Sequence, residues 1–161
     1  MKKISSILTI ISFCICLLTA CGSDNTTNST SDANTVAEKL QIQFTEEIKN
    51  DTNIENVANT LITNPVFQDI SMGVIPVEEG FLNGFNGEIN GFTSGVMFAP
   101  MIGTIPFVGY IFETDDTETL IASLQANAML NWNICTQADQ MITETVNNYV
   151  FFVMAPNSFD E

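Results

Sequence analysis

The chain has 161 residues, of which 19 are Asp or Glu and four are Lys, with neither Arg nor His, and its formal charge at neutral pH is −15. Neutralising nucleic-acid phosphates takes clustered cations, and this composition has none to offer, so nucleic-acid binding is excluded. The lack of histidine removes the usual neutral-pH base, and with it Ser-His-Asp and Cys-His catalysis and imidazole metal sites.

Met1-Lys2-Lys3, an apolar run from Ile4 to Leu18 and small residues after it have the three parts of a secretory signal peptide. Ser5, Ser6, Thr9 and Ser12 interrupt the run, which is too short for a membrane span of about 20 residues. It closes on Leu18-Thr19-Ala20-Cys21, followed by Gly22. This stretch resembles the lipobox of bacterial lipoproteins. The resemblance implies a diacylglyceryl group on the Cys21 sulfur and cleavage between Ala20 and Cys21, with residues 1–20 as the signal peptide. It places the mature protein on the extracytoplasmic face of the cell membrane, held there by lipid of the kind that palmitate labels. Two acyl chains anchor stably where one holds only marginally. Loss of Lys2 and Lys3 leaves Lys39 and Lys49 against all 19 acids, a net charge of about −17.

Cys14 and Cys16 leave with the signal and Cys21 is acylated, so Cys135 is the remaining thiol and no intramolecular disulfide is expected. Its neighbours Trp132 and Ile134 are apolar, and no His or Arg lies near it in sequence to favour a thiolate, so a buried structural thiol is expected.

Residues 21–35 form the lipidated cysteine and a polar tether, since Gly, Ser, Thr, Asn, Asp and Ala bury too little apolar surface to order. Such a segment has a typical reach of about 20 Å. Residues 36–161 are long enough for one domain with its own core.

Val36, Leu40, Phe44 and Ile48 recur every four residues behind Asn34 and Thr35, which predicts a capped amphipathic helix. A second helix is predicted from Asn53 as cap, with Ile54, Val57, Ala58, Leu61 and Ile62 on one face and Asn64-Pro65 as its stop. Between Gly80 and Gly109 glycines alternate with Phe81, Phe85, Phe92, Phe98 and Phe107, which points to turns and tight strands. No charge occurs between Glu88 and Glu113, and residues 94–112 could insert in a membrane by length. Pro100, Gly103, Pro106 and Gly109 argue instead for strands Val96 to Met101 and Phe107 to Glu113, joined by a turn. A third helix is predicted from Asp115-Asp116-Thr117 to about Asn131, with Leu120, Ile121, Leu124 and Ala128 on one stripe. Met141 to Val146 and Tyr149 to Met154 then read as a hairpin about Asn147-Asn148, against a competing helix over residues 136–146.

These elements predict an α+β fold: two N-terminal helices, then an antiparallel or mixed sheet of about four strands with a helix across one face and a C-terminal strand hairpin. With the lipobox and tether, this layout resembles the small lipoproteins of uncharacterised function of anaerobic Gram-positive bacteria, a group that transfers no catalytic residues.

Several residues invite a chemical reading beside a structural one. Asp115, Asp116 and Glu118 could ligate a hard cation, but they also suit a helix N-terminus. Glu78, Glu79 and Glu88 could supply a carboxylate pair, which only distance defines. Trp132, Tyr110 and Tyr149 could line a pocket, though aromatic residues in apolar surroundings are more often core. The sequence therefore assigns no catalytic residue, cofactor or metal ligand. The preferred function is a noncatalytic binding or interaction module of the cell envelope, with an envelope protein or a small ligand as partner and the Gly/Phe stretch 80–95 as its exposed apolar surface. The alternative is an extracytoplasmic hydrolase that uses carboxylates or a metal bound by them.

Overall fold

In a computed structural model, residues 33–133 and 135–159 are described. Ala20, Cys21 and the tether as far as Asp32 lie outside the described residues. The helix α1 (Val36–Asn50) begins where the sequence places it, because Thr35 and Glu38 form a reciprocal capping box. The Glu38 N–H donates to Thr35 Oγ1 at 3.3 Å and the Thr35 N–H donates to Glu38 Oε2 at 3.1 Å, an arrangement that contributes about 1 kcal/mol. Its buried stripe of Val36, Ala37, Leu40, Phe44 and Ile48 faces the sheet. Asn53 caps α2 (Ile54–Leu61), whose Ile54, Val57, Ala58 and Leu61 are buried. Asn64 then caps a short 3-10 turn over Pro65–Phe67.

Seven strands follow: β1 (Met72–Val77), β2 (Gly80–Phe81), β3 (Glu88–Ile89), β4 (Ser94–Pro100), β5 (Val108–Glu113), β6 (Gln140–Val146) and β7 (Tyr149–Ala155). The helix α3 (Thr117–Asn127) lies between β5 and β6. Five strands make one antiparallel sheet in the order β1-β4-β5-β7-β6, and β2 with β3 make a small antiparallel ribbon. The sheet thus has five strands rather than about four, and it is antiparallel throughout. The added strand, β1, is an edge strand that contains Gly73 and carries Pro76 opposite Val96, and proline within a run is confined to such edges.

Strand alternation sends successive side chains to opposite faces, and both faces are covered. On one, Val96, Phe98, Ile111, Tyr149, Phe151 and Val153 pack under α1 and α2. On the other, Val108, Tyr110, Phe112, Val150, Phe152 and Met154 pack under α3, Phe85, Ile89 and Phe92. Every residue of β7 is buried, as its unbroken apolar composition predicts. The hairpin reading of residues 141–154 holds, with one more residue at each end, and the competing helix does not: Asn147 takes a φ of 56°, which the tight turn requires and asparagine tolerates. Helix α3 stops at Asn127 rather than near Asn131, because Ala128 turns extended and bridges to Phe85.

The antiparallel register defines two ends of the domain. At the near end lie the start of α1, the β4–β5 loop, the last residues of β7 and the chain beyond it: the Val36 N–H donates to Asn157 O at 3.1 Å, and the Met101 N–H donates to Ser71 O at 2.8 Å. At the far end lie the β6–β7 turn and the β5–α3 junction, where the Thr114 N–H donates to Asn148 O at 2.9 Å. Among the described residues no helix is long and apolar enough to cross a membrane.

Candidate functional site

The near end carries an open groove of about 1020 Å³, built from three segments far apart in sequence. One wall is the first two turns of α1, which present Val36, Lys39 and Ile42 at helical spacing. The second is the turn from Asn64 to Ile70, and the third is Asn157 to Phe159. The second and third walls are fixed by specific contacts. Asn64 Nδ2 donates to Gln43 Oε1 at 2.7 Å while Asn64 Oδ1 accepts from the Val66 N–H at 3.0 Å, which locks the turn to the helix. The Phe159 ring lies 5.7 Å from that of Phe67 and 6.0 Å from that of Phe107, centroid to centroid, which holds the third wall against the core.

The groove offers an apolar lining from Val36, Ile42, Val66, Ile70 and Phe159, one amine from Lys39, one carboxylate from Asp69 and the amides of Asn34, Asn64 and Gln68. Ile42 is 45% exposed there, a large aliphatic side chain open to solvent on an otherwise amphipathic helix. Mixed linings of this kind orient a small polar ligand or an extended peptide. Sequence reasoning missed the groove because no local pattern joins residues 36–42, 64–70 and 157–159. The usable signals were Lys39, one of only two cations after residue 20, and the Asn64-Pro65 corner.

The candidates singled out in the sequence fall elsewhere and do not converge. Asp116 is the N-cap of α3, its carboxylate accepting from the Thr119 N–H at 3.0 Å, and that bond lowers its pKa. Asp115 and Glu118 are exposed beside it. The Thr35 N–H lowers the pKa of Glu38 and the Asn53 N–H lowers that of Asp51, again at helix starts. These three carboxyl groups are held more firmly charged at neutral pH, the opposite of what a general acid needs. Glu79 Oε1 accepts from the Gly91 N–H at 2.6 Å, pinning a turn, while Glu78 and Glu88 are exposed. Among the described residues no group of three or more His, Cys, Asp or Glu is placed to hold a metal ion.

Tyr110 and Tyr149 lie in the cores on opposite faces of the sheet, so with Trp132 they share no pocket. The Tyr110 hydroxyl donates to Asn83 O at 2.7 Å, and burial raises its pKa above the ordinary phenol range. Two expectations are corrected. Cys135 is exposed, because it sits in the irregular segment after α3 rather than on a packed face, and apolar neighbours in sequence did not bring burial with them. The stretch 80–95 is not an exposed apolar surface: Phe85 and Phe92 cover the second face of the sheet, and of its phenylalanines Phe81 alone is open, at 75%.

No family model, curated protein or solved structure matches the chain, so geometry and residue chemistry carry the functional reading.

Proposed function

We propose that this chain is a lipoprotein of the cell envelope, anchored through lipid on Cys21 to the extracytoplasmic face of the cell membrane, whose α+β domain is a noncatalytic binding module. The observation that carries the reading is the order Lys2-Lys3, apolar run, Leu18-Thr19-Ala20-Cys21, which joins a secretory signal to a lipidation site. The groove beside Lys39 and Ile42 supports binding, since apolar and polar side chains line it together. The acids support it too, since those with a shifted pKa accept bonds from backbone N–H groups at the ends of helices.

Cys21→Ser is expected to abolish incorporation of labelled palmitate and to release the protein from the membrane fraction. Two acyl chains supply stable attachment and their loss leaves an acidic chain with little affinity for an anionic surface. Retained label would refute the anchor. For the binding module, a photoreactive residue at Ile42 of the membrane-bound protein is expected to give one discrete adduct, and the same group at Asn59 on α2 none. Equal, diffuse labelling at both positions would refute a role for the groove.

A further inference from the structure

We propose that the tip of the β4–β5 hairpin, Met101-Ile102, is a second membrane contact, which enters the headgroup and acyl boundary of the bilayer and sets the domain upright on it; the proposal rests on the lipid anchor at Cys21. Met101 is 75% exposed and Ile102 64% exposed, adjacent in sequence in the loop that follows β4. From Pro100 to Val108 the chain has no charged residue. The loop is not slack: the Met101 N–H is bonded to Ser71 O at 2.8 Å, Thr136 Oγ1 donates to Thr104 O at 2.9 Å, and Asn133 Nδ2 donates to Ile105 O at 3.2 Å. Two large apolar side chains on a braced loop are therefore left mostly exposed among the described residues.

The bilayer is the occupant that the rest of the molecule points to. The described chain starts at Ala33, and the Val36 N–H bond to Asn157 O puts that start at the same end of the sheet as the loop. Only the residues between Cys21 and Ala33 separate the lipid from this end, and a polar segment of that length reaches about 20 Å. The anchor thus keeps the loop within reach of lipid at a high effective concentration, so that a contact too weak to act alone is populated.

Charge is distributed unevenly: the near end carries Glu38, Asp69 and Asp139 with Lys39 among them, and the far end carries more acids. Glu78, Glu79, Glu113, Asp115, Asp116 and Glu118 gather at the far end, where β1 and β5 finish and α3 starts. A strand of six residues separates the two ends by about 20 Å, while the Debye length at physiological ionic strength is about 8 Å. With the loop down, most repulsion between these acids and anionic headgroups is screened. With the domain inverted, the same acids would lie against the lipid.

Site-specific fluorescence tests the contact. Cys21 carries lipid and Cys14 and Cys16 are removed with the signal, so Cys135→Ser leaves the mature protein without a reactive thiol. Ile102→Cys and Asp115→Cys, each in that background, place an environment-sensitive dye at the near or far end of the processed, lipidated protein. In vesicles of phosphatidylcholine, with or without phosphatidylglycerol, the dye at position 102 is expected to shift to the blue and to be quenched by acyl-chain spin labels; at position 115 it should do neither. Flotation with the vesicles and a water-like dye at position 102 would overturn the hairpin contact and leave the anchor standing. Failure to float would overturn the anchor and this contact together.

Discussion

Replacing Phe151 by alanine is expected to destabilise the domain by about 3–5 kcal/mol, read as a fall in the midpoint of chemical denaturation. Phe151 is fully buried in β7, next to the middle of the sheet. Its ring stacks on Phe44 of α1 at 5.0 Å and lies 6.2 Å from Phe98 of β4. Truncation therefore removes the plug between a helix and two strands at once, and the β-sheet backbone beneath cannot collapse into the void. Single domains have net stabilities of about 5–15 kcal/mol, so this one change would use up much of the margin. A loss below about 1 kcal/mol would show that α1 is not held to the sheet through this contact.

Gly109→Ala is expected to cost about 3 kcal/mol, although a change from glycine to alanine normally stabilises a chain where the backbone allows it. Gly109 faces Phe98 across the β4–β5 ladder, and the Phe98 ring lies over the position that a Cβ would take. Phe98 has nowhere to go, being fully buried with Phe107 at 5.8 Å and Phe151 at 6.2 Å. Overpacking of a filled core costs about 1–3 kcal/mol and more when neighbours are pinned. Gly73→Ala in β1 is the control: its added methyl would meet Met101 Cγ at an ordinary 3.7 Å, and a change within about 0.5 kcal/mol is expected there. Equal losses at the two glycines would show that the Phe98 ring is not their cause.

Local signals made much of this fold legible. The helices α1 and α2 announce themselves through their apolar stripes and through Thr35 and Asn53 before them, because capping chemistry acts over three or four residues and leaves a mark of that length. The β6–β7 hairpin was readable for the same reason, from a turn residue that tolerates positive φ between two apolar runs. Strand β1 was not, since Gly73 and Pro76 are breakers everywhere except on an edge, and edge position depends on pairing with β4, 18 to 28 residues later. The exposure of Cys135 and the burial of Phe85 and Phe92 were misread because burial follows from what packs over a segment, and Ala128, Tyr110 and Phe112 are remote in sequence. The groove and the hairpin tip share one end only because the sheet order brings residues 33–42, 101–102 and 157–159 together.

The proline in β1 has one more effect, felt between molecules. On an edge strand a proline nitrogen faces away from its partner, so the free side of β1 lacks a donor in mid-strand. A visiting chain that tried to continue the ladder there would find one rung missing. The opposite border, β6, carries the charge of Glu144 at its centre. Crowded side by side, copies of this protein are thus poor templates for one another along β1.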